Sequence, residues 1–385
     1  MITYLKKEKD NMMALFEKLV NIDSNSYDQA GVNKISSILQ KEFEEIGLKV
    51  IVHREKKFGN HLSITSSNSI KPKILIIAHM DTVFPKGESS KRPFQIIGDK
   101  AYGPGVNDEK ASHVQVLYAM KALKHYGLAS FHNVHILFNS DEEIGSPSSK
   151  TLIKEAAEGK EYCLVVECGR PNEGVVTSRK GVGSFKMSVT GKSAHAGVEP
   201  EIGRSAIEEI AYKIIKLHQL NKIEKGLTVN VGLIKGGTSA NTVSPDAEAV
   251  IDVRVANKEQ AEDVVKEIYS IAEEETIKGT ETKIEGQISR PPMEMTKESQ
   301  ELFERVKQTG KELGLHLHGE ATGGASDASF TASEGVPTID GMGPVGEFSH
   351  SETDEYTNIQ SLIERTALLA KTIESLTKKE MEEQQ

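Results

Sequence analysis

Three apolar runs in the first half of the chain each stop at residues able to bind a proton or a metal. They are "KILIIAHMD" (residues 73–81), "VHILFNSDEE" (134–143) and "EYCLVVECG" (161–169). Cores such as "ILIIA" and "LVVE" do not alternate between apolar and polar residues, so they suit strands covered on both faces. Such strands need helices above and below them. The segments "MMALFEKLVNI", "VNKISSILQKEFEEIG" and "KASHVQVLYAMKALKHYG" supply apolar residues at helical spacing, and "LKVIVHRE" and "HLSITSS" read as further strands. The fold class expected is α/β, a mixed sheet flanked by helices.

The pattern changes between residues 180 and 289. The order there is strand "VGSFKMSVTG", a helix with Ile207, Ile210, Ala211, Ile214 and Ile215 on one face, and strands "LTVNVGLIKGG" and "AEAVIDVRVA". A helix bearing Ala261, Val264, Val265, Ile268 and Ile271 and a strand "TKIEGQIS" complete a β-α-β-β-α-β unit of ferredoxin-like type. Helix–strand alternation resumes with "SQELFERVKQTGKELG", "VPTIDG" and "NIQSLIERTALLAKTIESL". The expectation is therefore an inserted domain, residues 180–289, within a larger domain built from 1–179 and 290–385. The polar tail "TKKEMEEQQ" is expected to fray.

Composition removes several classes of function. A net charge of −10 over 385 residues argues against a nucleic-acid partner, which calls for a basic face. No apolar run approaches the roughly 20 residues of a membrane span, and "MITYLKKEKDNMM" lacks the apolar core of a signal peptide. A cytoplasmic protein without a membrane partner is expected. Cys163 and Cys168, read as lying on one strand, fall on opposite faces, which excludes a disulfide and fits a reducing compartment.

The candidate chemistry gathers at strand ends and loops, where α/β sheets bind ligands. His79 and Asp81 close one strand two residues apart, a spacing that suits a metal-binding imidazole supported by a carboxylate. Asp108 stands in the Gly- and Pro-shaped loop "YGPGVNDEKAS", where carboxylates make a cation a better guest than a phosphate. Glu167 ends an apolar strand, and a carboxylate there needs a partner. His350 lies in "GEFSHSETDEY". With Glu143 or Glu142 these residues offer two imidazoles and three carboxylates. That set is enough for two metals sharing one bridging carboxylate.

The sequence resembles the co-catalytic zinc exopeptidases and deacylases, a family that includes glutamate carboxypeptidase, aminoacylase, peptidase T and succinyl-diaminopimelate desuccinylase. Within it the resemblance is greatest to the bacterial glutamate carboxypeptidases. The segments "AHMDTVFPKG", "GDKAYGPGVNDEKAS", "VLYAMKALKHYG", "LFNSDEEIGSPSSKTLIKEAA", "GKSAHAG", "TGGASDAS" and "FSHSETDEY" carry it, in that order along nearly the whole chain. The resemblance implies two zinc ions, with cobalt or manganese as substitutes, bridged by Asp108. His79 and Glu167 would complete one metal's ligands, and Glu143 and His350 the other's. Asp81 would orient His79, and Glu142 would be the general base.

The inserted domain would then be a lid that also makes a homodimer. His195 and Asn241 would reach the partner subunit's site, and Arg254 and Arg290 would grip a substrate carboxylate. The implied substrate is a small peptide or N-acyl amino acid with a free carboxylate. "ECGRPNEG" after Glu167 and "MEMT" after Arg290 depart from the glutamate carboxypeptidase pattern, which leaves an N-acyl-amino-acid deacylase or a tripeptidase as alternatives. A metal- or peptide-binding protein without catalysis is a remote third. Were the 134–143 strand to continue to its end, Glu142 and Glu143 would face opposite ways. For both to serve one centre the strand must stop before them, and Asp141 is expected to support the turn.

Overall fold

In a computed structural model, residues 1–67 and 71–383 are described. The chain divides into two compact units, one of residues 1–178, 295–321 and 326–385, the other of residues 179–294 and 322–325.

The first unit is built on a six-stranded sheet in the spatial order Leu48–His53, His61–Ser66, Val134–Asn139, Ile74–His79, Tyr162–Val165 and Thr338–Ile339. Its first two strands pair antiparallel and the last four run parallel, so the sheet is mixed. Every residue of Ile74–His79 is buried, as a strand without alternation requires. The helix Ala111–His125 is buried along most of its length and belongs, with the terminal helix Ile359–Glu383, to one apolar core. That terminal helix continues through the stretch expected to fray as far as Glu383, and Gln384 and Gln385 lie outside the described residues.

Two strands end earlier than their apolar sequence suggests. Val134–Asn139 gives way to a 3-10 turn at Glu142–Ile144, so both glutamates leave the strand direction. Tyr162–Val165 stops two residues before Glu167, so the opposite-face argument does not reach Cys168; both cysteines are nonetheless buried and unbridged.

The second unit is a four-stranded antiparallel sheet in the order Thr228–Gly236, Asp246–Val255, Gly181–Thr190 and Glu281–Arg290. Alternate residues of the central strands, such as Phe185, Met187, Ile251 and Val253, pack with Ile210, Leu217, Val264 and Ile268 from the helices Ala206–Gln219 and Lys258–Glu273. Ser205 and Asn257 cap those helices through Glu208 N (3.1 Å) and Gln260 N (2.9 Å).

This core contains a buried ion pair. Lys213 Nζ lies 3.0 Å from Glu209 Oε1 and donates to the carbonyls of Ile271 (2.8 Å) and Ala272 (3.2 Å), while Glu209 accepts from the amides of Thr276 and Ile277. Lys213 thus closes the end of one helix against the next. Lys213→Met removes the cation and leaves Glu209 buried without its counter-charge, which costs about 3–5 kcal/mol. Urea unfolding followed by circular dichroism should show a loss of that size.

Candidate metal centre

His79 is the last residue of its strand, and the strands on either side, Val134–Asn139 and Tyr162–Val165, run parallel to it. Their carboxyl ends point the same way, so the residues that follow each strand converge above the sheet. Glu167 comes from one side and the Glu142–Glu143 turn from the other. Asp108 arrives on the loop before the Ala111–His125 helix, where Gly103 and Gly105 take positive φ of 148° and 69°. A Cβ at Gly343 would meet the carbonyl oxygen of Glu167 at 2.6 Å, so a glycine is needed for the backbone to pass there.

The Asp108 carboxylate lies between two imidazoles. Its Oδ1 is 3.0 Å from His79 Nε2 and its Oδ2 is 3.3 Å from His350 Nε2. His350 Nε2 is also 3.4 Å from Glu143 Oε2, and His79 Nε2 is 3.8 Å from Glu167 Oε1. Ligand atoms of His79, Asp108 and Glu143 lie within 4.8 Å of one another, as do those of His79, Glu109 and Glu167. The structure therefore brings together His79, Asp108, Glu143, Glu167 and His350.

The electrostatics of this cluster call for cations. Burial, with the charge of Asp108 adding to it, pushes the Glu143 carboxyl up to about 7. Burial and the neighbouring Glu109 and Asp108 push Glu167 well above the carboxylate range. Hydrogen bonds to Asp108 and Glu143 hold the His350 imidazolium up to about 10. Burial works against ionising Asp108, but its bonds to His350 and His79 keep its carboxyl low. Glu143 Oε1 is buried without a hydrogen-bond partner, a position costly for an oxygen unless it meets a cation. The donor set, imidazole nitrogen and carboxylate oxygen, suits zinc and its first-row neighbours.

Asp81 does more than its spacing from His79 suggests. His79 Nδ1 is 2.9 Å from the Asp81 carbonyl and 3.4 Å from its Oδ1. The same carboxylate accepts from the amides of Glu142 (3.1 Å) and Glu143 (3.2 Å) and from Ser26 Oγ (2.6 Å), which ties the histidine to the acidic turn. Asp141 supports that turn from behind through Ser148 N (2.6 Å) and Ser149 Oγ (2.5 Å). Sequence reading missed Glu109, which accepts the backbone N–H of His79 and stands 3.8 Å from its Nε2. Its one signal was the second carboxylate of "NDEK". It also missed the burial of Glu355, visible only as one acid among several in "SETDEY".

The remaining candidates belong to the second unit. His195 and Asn241 are neighbours there: His195 bridges to Thr242, and the amide of Ala196 donates to the Asn241 carbonyl at 2.9 Å. Both side chains are exposed. Arg254 and Arg290 stand opposite the same residue, Val182, from the two strands that flank it. Arg254 is paired with Asp252 through two bonds of 2.9 and 3.0 Å, and Arg290 is buried.

Fold and site together define a metal-dependent hydrolase on a two-unit α/β scaffold. Residues 75–375 match the model for Peptidase family M20/M25/M40, and the chain belongs to this family of metallopeptidases. It is 31% identical over 378 residues to Carboxypeptidase G2 of Pseudomonas sp. (strain RS-16), covering 96% of this chain and 90% of that protein. The structure of aminopeptidase PepT from Bacillus cereus superposes with a TM-score of 0.81 at 24% identity, covering 96% of this chain and 99% of that one. YXEP of Bacillus subtilis, described as a dinuclear metal-binding peptidase, does so with a TM-score of 0.70 at 17% identity, covering 96% and 99%. At these identities the two structures establish the fold.

Metal ligands must be deprotonated, and in the metal-free cluster His350 keeps its proton up to about 10 and Glu143 up to about 7. Zinc added at pH 7.5 should release on the order of one proton per chain, and affinity should rise with pH through that window. Calorimetry in buffers of different ionisation enthalpy measures both. Binding without proton release would contradict these assignments.

Proposed function

We propose that the chain is a di-zinc exopeptidase of the glutamate carboxypeptidase type, cleaving an amide bond next to a free carboxylate. The observation that carries this reading is the Asp108 carboxylate, with one oxygen toward each of two imidazoles and a further glutamate beside each. Asp108 would bridge two ions, with His79 and Glu167 on one and Glu143 and His350 on the other. When bound, the ions supply Lewis acidity that polarises the scissile carbonyl and acidifies water.

Glu142 performs the proton transfer. Its backbone amide is fixed by Asp81, and its charge acts on both Glu143 and Glu167, which supports a carboxylate close to the cluster that is not needed as a ligand. It accepts the proton of the attacking water and returns it to the departing amine. Glu142→Gln should keep both metals and lower kcat about 10²- to 10⁴-fold, whereas Glu143→Ala should lose metal. Metal analysis beside kinetics separates the two, and metal loss in both variants would reject this division of roles.

Recognition falls to the second unit. Arg254 and Arg290, in register across one strand, would hold the substrate carboxylate, with Arg254 exchanging Asp252 for it. The similarity to Carboxypeptidase G2 favours release of a C-terminal residue, and the resemblance to the glutamate carboxypeptidases makes glutamate the residue to test first. N-acyl amino acids and tripeptides remain the alternatives, and rates on a panel of all three, with chelated enzyme as control, decide among them.

A homodimer through the second unit is part of the reading. Ile207, Ala211 and Ile215 form an exposed stripe on one helix, and the edge strand Thr228–Gly236 exposes Leu233 and Ile234. Apolar side chains on an unpaired edge suit pairing with a second copy. His195 and Asn241, exposed together, would complete the partner subunit's site and stabilise the oxyanion. If so, mixing His195→Ala with Glu142→Gln subunits, each inactive alone, should restore activity in about a quarter to a half of the wild-type amount. Mixed dimers without activity would place His195 in its own subunit's site.

A further inference from the structure

Glu355 takes no part in the chemistry above, yet it is fully buried five residues after His350. Its Oε1 accepts from the amides of Asn107 (3.0 Å) and Asp108 (3.1 Å), and its Oε2 from the amide of Gly105 (3.0 Å). All three donors belong to the loop that delivers Asp108. Other bonds join the same pair of segments, Asn107 Nδ2 to Ser349 Oγ (2.8 Å) and Thr357 Oγ1 to the Val106 carbonyl (2.8 Å) and to Asn107 Oδ1 (3.4 Å). Glu355 is the only carboxylate among these acceptors, and it alone receives three of the bonds.

The two segments it joins carry ligands that must meet. Asp108 Oδ2 and Glu143 Oε2 stand 3.3 and 3.4 Å from His350 Nε2, in a turn where Phe348 and His350 both hold positive φ, at 62° and 68°. Such conformations persist in non-glycine residues only when the surroundings impose them. Metal–ligand distances tolerate changes of about 0.2 Å, less than a loosened loop would shift.

We infer that Glu355 is a positioning residue of the metal centre, which locks the Asp108 loop to the His350 turn and so sets the affinity of the ion that these two residues share with Glu143. The inference rests on the two-ion reading. It differs from a general packing role because Glu355 bonds to the ligand's own amide, and it bonds to no part of the Glu167 segment.

The test is titration of metal-free protein with zinc against a chromophoric chelator, resolving two dissociation constants for wild type, Glu355→Gln and Glu355→Asp. Glutamine keeps the shape and one acceptor oxygen, but it turns an N–H₂ group toward one of the loop's amides. Aspartate keeps the charge but is too short to reach all three amides. Both should weaken the ion held by His350 and Glu143 about 10- to 100-fold and weaken the ion held by His79 and Glu167, which shares only Asp108 with this segment, by clearly less. Cobalt-loaded variants should show the larger change in visible spectrum for the first ion. Affinities equal to wild type would overturn the inference. So would equal weakening of both ions, with or without a loss of helical circular dichroism, because it would show no preference for the ion next to the His350 turn. A wild-type protein that takes up one ion would instead overturn the two-ion reading itself.

Discussion

The structure is organised around a concentration of like charge that no globular core would otherwise tolerate. Asp108, Glu109, Glu143 and Glu167 lie around His79 and His350, largely out of water. The two imidazoles can balance only part of that charge, and in the metal-free state the protein copes by holding protons on groups that would normally give them up, Glu143 and His350 among them. On the proposed reading, divalent cations would resolve the conflict by replacing those protons. Metal affinity and acid–base behaviour are therefore one property of this cluster.

Holding the cluster together requires groups that point backbone at backbone. Asp81 joins His79 to the turn of Glu142 and Glu143. Asp141 fixes the far side of that turn, and Asp327 receives Asn139 Nδ2 at 2.6 Å and the hydroxyl of Ser146, which closes the two ends of the segment. Each is a buried carboxylate whose charge is spent on N–H and O–H donors. The ligands can then be acidic without being mobile, because their supports are as strongly bonded as they are.

Much of this was legible in the sequence because strand ends leave a clear trace: an apolar run that stops at His79 or Glu167 can hardly be anything but a buried strand delivering a polar group. The mixed sheet and the β-α-β-β-α-β order follow from periodicity for the same reason. The supports were harder to see. Glu109, Glu355 and the second role of Asp81 depend on which backbone amides lack partners once the loops are folded, and an acid in "NDEK" or "TDEY" looks in sequence like any solvated one. The end of the terminal helix was misread because polar composition at Thr377 and beyond says little about whether a helix continues. The resemblance implies that Arg254 binds a substrate carboxylate, whereas its pairing with Asp252 two residues away left no separate trace in the sequence.

The second unit obeys a different logic. It has its own apolar core and its own buried Lys213–Glu209 pair. Its polar candidates, His195 and Asn241, are exposed, whereas the ligands of the first unit are mostly sunk at strand ends. The clustered imidazoles and carboxylates are therefore built on the carboxyl ends of the parallel strands of the first unit, and on the proposed reading the groups that would meet the substrate are carried by the second. If recognition falls to the second unit as proposed, substitutions there would change what is recognised while leaving Asp108 and its two imidazoles as they are, which is why the reaction class follows from this structure more directly than the identity of the side chain next to the cleaved bond.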